Sequence, residues 1–237
     1  MTPPDDRTTK ARIRYAAIEC IAADGVAAAT TRKVAARAGV SPGSIIHHFG
    51  SMDGLRAACD EHVAAVVRST KAESLAAGPA LDLAAVLRRT EIPSITAYLA
   101  EVLTEDSPAV AALVDDLVSD AAAYLQEGVE SGMLKPSADP RGRAAVLAMW
   151  SLGALALHHH VERLFGVDPT DPDLAANPAV ASYMAPGYEI LGEGLFTEEA
   201  AGRLQATIAA LAAAGDAADA SRRQRRVGGA GTSEGTP

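Results

Sequence analysis

The amino-acid sequence predicts an all-α fold, with a small three-helix head and a larger helical body. Three observations carry this. Hydrophobic residues make up 49% of the 237 residues but aromatics only 4%, and Ala recurs throughout. Such a composition suits close-packed helices better than the β-branched and aromatic surfaces of sheets. Apolar side chains recur at helical spacing, without strand-like alternation or a fixed-period repeat. Proline repeatedly follows a capping residue, in Ser107-Pro108, Asp139-Pro140 and Asn177-Pro178, the pattern of an N-cap followed by the first helical position.

The first helix is expected from about Arg7 to Ala23, with Ile13, Ala17, Cys20 and Ile21 on one face and Gly25 ending it. Two short helices follow, at about Thr31–Ala38 and Pro42–His48, separated by Gly39-Val40-Ser41. Ser51 can cap a long fourth helix reaching about Ala77, where Gly78-Pro79 breaks the chain. Further helices start near 93, 108, 140 and 178, and Thr197-Glu198-Glu199 starts a last one ending near Gly215. The stretch from Arg141 to about Phe165 reads as one helix, apolar nearly all round. Such a helix needs partners on both sides: one face closes its own domain and the other meets a second copy about a two-fold axis. The chain thus divides into residues 1–51, 52–214 and a small, polar, Gly-rich tail at 215–237, which has too little apolar surface to fold alone.

Charge is unevenly placed. The formal net charge is −9, yet residues 1–50 carry net +3 and leave −12 for the rest. A basic head on an acidic body can hold phosphate at one end and repel it elsewhere. The two cysteines, Cys20 and Cys59, lie in helical apolar patterns without Cys-x-x-Cys spacing and read as core thiols of a cytoplasmic protein. The polar N-terminus lacks a secretory apolar segment. The longest apolar run, Ala144 to Leu157, is interrupted by Ser151 and too short to span a bilayer, so no membrane is expected as a partner.

The segment from Thr30 to Phe49 has the parts of a helix-turn-helix. Ala35 is small enough for a second helix to cross it closely, and Gly39 supplies a left-handed turn. Val34, Val40, Ile45 and Phe49 form the wedge that sets the crossing angle. Ser41 and Pro42 cap and start a recognition helix whose amide end is left to face DNA. Gly43 keeps the backbone close, and Ser44 can bond to a base or phosphate. On the preceding helix, Arg32 can reach a guanine edge bidentately and Lys33 a phosphate.

From about Ile13 to Leu55 these residues match in spacing the pattern of the tetracycline-repressor (TetR) family: an aliphatic and Ala helix, Gly, a Thr-Thr entry, Ala-Gly-Val-Ser, and a Gly-Ser start to the helix ending in His-Phe. The chain resembles that family of transcriptional regulators. The resemblance implies that Thr31, Arg32, Pro42, Gly43, Ser44, His47 and His48 touch DNA, with Lys10 in an N-terminal arm beside Thr8 and Thr9. It also implies a homodimer on a near-palindromic operator, joined by its last long helices and released by a small apolar or amphipathic effector. Ile46 stands where the family usually has a phosphate-binding Tyr, and Met52 where a Lys often begins the fourth helix.

In the body, the scarce large side chains Tyr98, Tyr124, Met149, Trp150, His158 and Phe165 are candidates to line an effector pocket. His158-His159-His160 is a poor metal site, because consecutive helical residues point about 100° apart. No cofactor or metal is expected. An alternative is a helical small-molecule-binding or enzymatic protein without DNA binding, drawing acid–base groups from Asp115, Asp116, Asp120 and the histidines. No nucleophile elbow, phosphate loop or metal motif accompanies those groups, and the acidic residues read as a solvated helix face.

Overall fold

The computed structural model describes residues 4–76, 92–196 and 198–210. Among the described residues the regular structure is entirely helical, as the composition predicts. The chain forms two compact units, Met1–Tyr183 and Met184–Pro237.

In the first unit, α1 (Pro4–Asp24) is the central rod. Ile13, Ala17, Cys20 and Ile21 are buried with Ala16 and Ile18, so the predicted apolar face is also the packed one. Gly25 ends α1 with φ +80°, and α2 (Thr31–Ala38) and α3 (Pro42–Phe49) follow. Ser51 caps α4 (Met52–Ala76), accepting the Gly54 N–H at 2.9 Å. A Cβ on Gly54 would collide with the Phe49 carbonyl oxygen, so glycine is what lets α4 start directly beneath α3. The Gly78-Pro79 break lies outside the described residues.

The body adds α5 (Ile92–Val102), α6 (Pro108–Glu130), α7 (Pro140–Ala156) and α8 (His158–Phe165). The Pro-start signals work as read: Ser107 Oγ accepts from the Val110 N–H at 3.3 Å and Asp139 Oδ1 from the Gly142 N–H at 2.9 Å. At Asn177-Pro178 the side chain bonds the Ala179 N–H at 2.9 Å, and α9 (Val180–Gly192) begins just beyond. Helix α4 packs along α6, α6 along α7, and α5 against both α1 and α7. One apolar core runs from Ile13 through Val34, Ile45, Cys59 and Tyr98 to Leu117, with Leu152 and Leu155 of α7 at its margin. Arg68 bridges α4 to Asp120 of α6 at 2.8 Å, so Asp120 is engaged while Asp115 and Asp116 face solvent.

The single helix expected over Arg141–Phe165 is corrected by the structure. It breaks at Leu157 and turns by 78° between α7 and α8. No Pro causes this bend. Beyond it, Val161 is buried at 9% exposure and Val167 at 0%, and His158 Nδ1 lies 3.2 Å from Asp168 Oδ1. Burial of those valines and the ring-to-carboxylate bond favour the turned path over a straight continuation.

In the second unit, residues 198–210 are helical, with Arg203 pairing Glu199 one turn away. The expected end near Gly215 and the tail lie outside the described residues. No single helix among the described residues is long and apolar enough to cross a membrane.

Candidate nucleic-acid interface

Local chemistry sets the α2–α3 pair. Thr30, which opens the helix-turn-helix segment, caps α2 by accepting the Lys33 N–H at 3.3 Å. At the other end Gly39 adopts φ 64°, ψ 38°, and the Val40 N–H reaches back to the Ala35 carbonyl at 3.0 Å. That closure needs the left-handed conformation, which glycine adopts without Cβ strain. Ser41 then caps α3, with Pro42 in the first turn. Val34, Ala35, Ala38 and Ile45 are buried, and Val40 and Phe49 pack half-buried against them, so the predicted wedge exists as drawn.

What remains outside is the candidate contact face. Pro42, Gly43, Ile46 and His47 are exposed on α3, and their offsets of three and four residues put them on one side. Ser44 is half-buried; its N–H meets Ser41 Oγ at 3.2 Å and its hydroxyl lies 3.0 Å from that of Ser41. The pair uses one hydroxyl proton internally and leaves the other for a partner. His48 is half-buried, its ring 5.2 Å from that of His47 and 6.4 Å from Phe49. Lys10, exposed on α1, holds its ammonium 5.4 Å from the centre of the Phe49 ring, which ties the start of α1 to the end of α3. Thr31 is partly exposed at the start of α2.

The cations of α2 are not equivalent. Lys33 Nζ lies 2.7 Å from Asp24, and Arg37 Nε lies 2.7 Å from Glu19. Arg32 is exposed and has no such ion pair among the described residues. These α1 carboxylates lie nine and eighteen positions away from their partners, and no local pattern announces them. The pairs are surface pairs, worth about 0–1 kcal/mol each, so DNA phosphate can compete for Lys33 and Arg37 at little cost.

Between α4 and α5 lies a polar cluster the sequence reading missed. Tyr98 of α5, fully buried, donates its hydroxyl to Asp60 Oδ1 of α4 at 2.6 Å. Arg56, one turn before Asp60, reaches the same oxygen at 3.4 Å and Glu105 at 3.1 Å, with its guanidinium 5.7 Å over the Tyr98 ring. The i,i+4 spacing of Arg56 and Asp60 was a legible hint; the Tyr98 partner was not. Burial pushes the Asp60 carboxyl above its ordinary value, with the Tyr98 and Arg56 hydrogen bonds pulling the other way.

The head and body both match known proteins. Residues 13–59 match the family described as bacterial regulatory proteins, tetR family, and residues 91–197 the tetracyclin repressor-like C-terminal domain. The HTH-type transcriptional regulatory protein RaaS of Mycobacterium tuberculosis is 37% identical over 196 residues, spanning 82% of this chain and 90% of that protein. This chain belongs to the TetR family of transcriptional regulators.

Solved structures share its fold, one of them of a TetR-family regulator. One from Rhodococcus sp. has a TM-score of 0.56 at 19% identity, covering 78% of this chain and 98% of that one. GusR of Salmonella enterica gives 0.52 at 18%, covering 81% and 98%.

In this TetR-family chain the six pocket candidates are spread over four helices, α5 to α8. Tyr98 belongs to the buried cluster just described. Tyr124 is half-buried on α6 beside Asp120, its phenol pushed up in pKa by burial and then by that carboxylate. Met149 and Trp150 point outward from α7. His158 engages Asp168, and Phe165 of α8 lies 5.4 Å from the Tyr183 ring. A different group inside the body lacks a partner among the described residues: Thr70 of α4 is buried, and its hydroxyl oxygen has no hydrogen bond there. Among the described residues no group of three His, Cys, Asp or Glu is placed to hold a metal.

Proposed function

We propose that this regulator is a repressor that binds a near-palindromic operator as a homodimer, inserts α3 in the major groove, and lets go when a small apolar or amphipathic effector enters its body. The observation that carries the DNA-binding part is the division of labour on α2 and α3. Everything large and apolar except Ile46 is turned inward or half-buried, and the outward set is Thr31, Arg32, Pro42, Gly43, His47 and one Ser41–Ser44 hydroxyl proton. Arg32, unpaired, is the side chain suited to a guanine edge, while Lys33 and Arg37 lie on salt bridges that phosphate can replace.

Two features support the rest. Val146, Met149 and Trp150 project from α7, with Leu157 at the break after it, in an exposed apolar stripe, which a second copy would cover across a two-fold axis. The unsatisfied Thr70 hydroxyl is a polar handle within an apolar body, the kind of group an amphipathic ligand satisfies. A solved structure of the same fold concerns the control of antibiotic production by bacterial hormones, a precedent for hormone-linked control on this scaffold.

The test is selection of duplexes from a random-core library by the full-length chain, followed by titrations at several salt concentrations. A site of two half-sites about 34–36 Å apart is expected. Arg32→Ala should relax base preference at one position per half-site, at a cost of about 1–3 kcal/mol. Lys33→Ala should weaken all duplexes alike and reduce the salt slope by about 0.9 per lost phosphate contact. Enrichment of a single asymmetric half-site, or wild-type binding by both variants, would refute this placement of α2 and α3.

A further inference from the structure

Ile46 is the one large apolar side chain that α3 turns outward. It is 48% exposed, while its neighbour Ile45 is 0% exposed in the core. It lies one turn after Pro42 and Gly43 and beside His47. Three of the four residues on the outward face, Pro42, Gly43 and Ile46, therefore carry no side-chain hydrogen-bonding group. An exposed β-branched residue contributes little to a helix, and the wedge that locks α3 is complete without it. We propose that Ile46, with no hydroxyl to take the phosphate that a Tyr usually binds at this position in the family, is instead a specificity residue that reads thymine, packing on the C5-methyl group of one thymine in each half-site. The proposal rests on α3 entering the major groove.

The chemistry of the groove narrows the choice to this group. Among the base edges exposed there, guanine, cytosine and adenine present donors and acceptors, and only thymine presents an apolar group. Ile46 against one of the other three would strip water from a polar edge and offer nothing in return. Against thymine it buries a methyl group and leaves the neighbouring O4 acceptor to water or to His47. Preference thus arises both from a contact made and from a penalty avoided.

The experiment uses the full-length chain and the best duplex from the library selection. Each thymine is replaced in turn by deoxyuridine, which keeps base pairing and O4 but lacks the methyl, and affinity is read by fluorescence anisotropy at fixed salt. At one symmetry-related position deoxyuridine should weaken binding about fourfold per half-site, or about fifteenfold with both replaced, the worth of burying one methyl group each time. Ile46→Ala should bind the thymine duplex more weakly, lose sensitivity to deoxyuridine at that position alone, and keep the wild-type salt slope. Ile46→Val should retain most of the thymine dependence, which separates a lost contact from a disturbed helix. Deoxyuridine tolerated at every position, or an Ile46→Ala variant as sensitive as wild type, would overturn the assignment while leaving DNA binding intact. A chain that enriches no sequence at all would overturn DNA binding through α3 as well.

Discussion

Helices α2 and α3 and helices α7 and α8 draw on the same apolar residue types and use them in opposite ways. The first pair hides Val34 and Ile45 completely and leaves Ile46 as its one large apolar side chain outside. The second pair leaves Val146 67%, Met149 47%, Trp150 46%, Leu157 57%, Leu164 63% and Phe165 42% exposed. One pair is finished within a single chain. The other has an inner face closed by Ala144, Leu152 and Leu155 and an outer face shaped for something else. A contiguous apolar stripe of that kind on a helical body marks an interaction surface, so under the proposed dimer stability in the two regions has different owners: the chain alone for α2 and α3, an assembly for α7 and α8.

Trp150→Asp tests that contrast hardest. If the stripe joins two copies, one residue changes both sides of a two-fold interface. Each large apolar side chain withdrawn from burial is worth about 1.5–3 kcal/mol, so the dimer should lose roughly 3–6 kcal/mol. Sedimentation velocity should show monomer where wild type shows dimer, and thermal stability should lose its dependence on protein concentration. An unchanged sedimentation profile would mean that the stripe serves some other partner.

Ile45→Ala makes the complementary cut. The side chain is fully buried at the centre of the wedge, and truncation there should cost about 2–5 kcal/mol of unfolding free energy. Dimerisation should survive at temperatures where the variant is folded, while DNA affinity falls because the α2–α3 angle is no longer held. Equilibrium urea unfolding and sedimentation of the same sample separate these effects. A loss below about 1 kcal/mol would show that the wedge can collapse around the gap.

Tyr98→Phe is milder and depends on pH. It removes the 2.6 Å hydrogen bond to Asp60 and leaves the ring in place. A hydrogen bond to a charged group contributes about 1.5–3 kcal/mol. Burial raises the Asp60 carboxyl, and the Tyr98 bond, which favours the ionised form, holds that rise in check. The bond's extra worth is therefore present at neutral pH, where Asp60 is ionised, and fades as pH falls through the Asp60 range and the carboxyl protonates. The gap between variant and wild type in urea should shrink on acidification. A gap that stays constant with pH would mean that Tyr98 contributes through packing alone.

The same contrast explains what could be read from the sequence. The ends of α2 and α3 depend on Thr30, Gly39, Ser41 and Pro42, all within a few positions of what they control, so local chemistry located both the helices and their outward face. The break at Leu157 depends on burial of Val161 and Val167 and on Asp168, ten residues past His158; no Pro or Gly stands at the break to announce it. The Tyr98–Asp60 bond spans 38 positions, and the Lys33–Asp24 and Arg37–Glu19 pairs join different helices. Scarcity of large side chains in an Ala-rich body pointed to six pocket candidates. Scarcity says nothing about direction, and the fold sends Tyr98 inward to a carboxylate and Trp150 outward to solvent.

The smallest expected effect is the sharpest check on whether the two regions are independent. Both cysteines lie in the N-terminal part of the core, Cys20 on α1 and Cys59 on α4, each at 0% exposure. Cys59 donates to the Arg14 carbonyl at 3.7 Å, and burial, followed by the charge of Asp60, pushes its thiol up to about 12. Alkylation requires the thiolate, and a thiol with that pKa is ionised to only about one part in ten thousand at pH 8. Labelling by iodoacetamide must therefore wait for the core to open, and its rate reports the stability of that core. In Ile45→Ala the rate should rise about thirtyfold or more, the equivalent of 2 kcal/mol. In Trp150→Asp it should stay at the wild-type value, because the exposed stripe on α7 takes no part in burying either thiol. Comparable acceleration in both variants would show that the assembled interface also holds the DNA-binding core closed, and the division between a self-sufficient head and a partner-dependent body would fail.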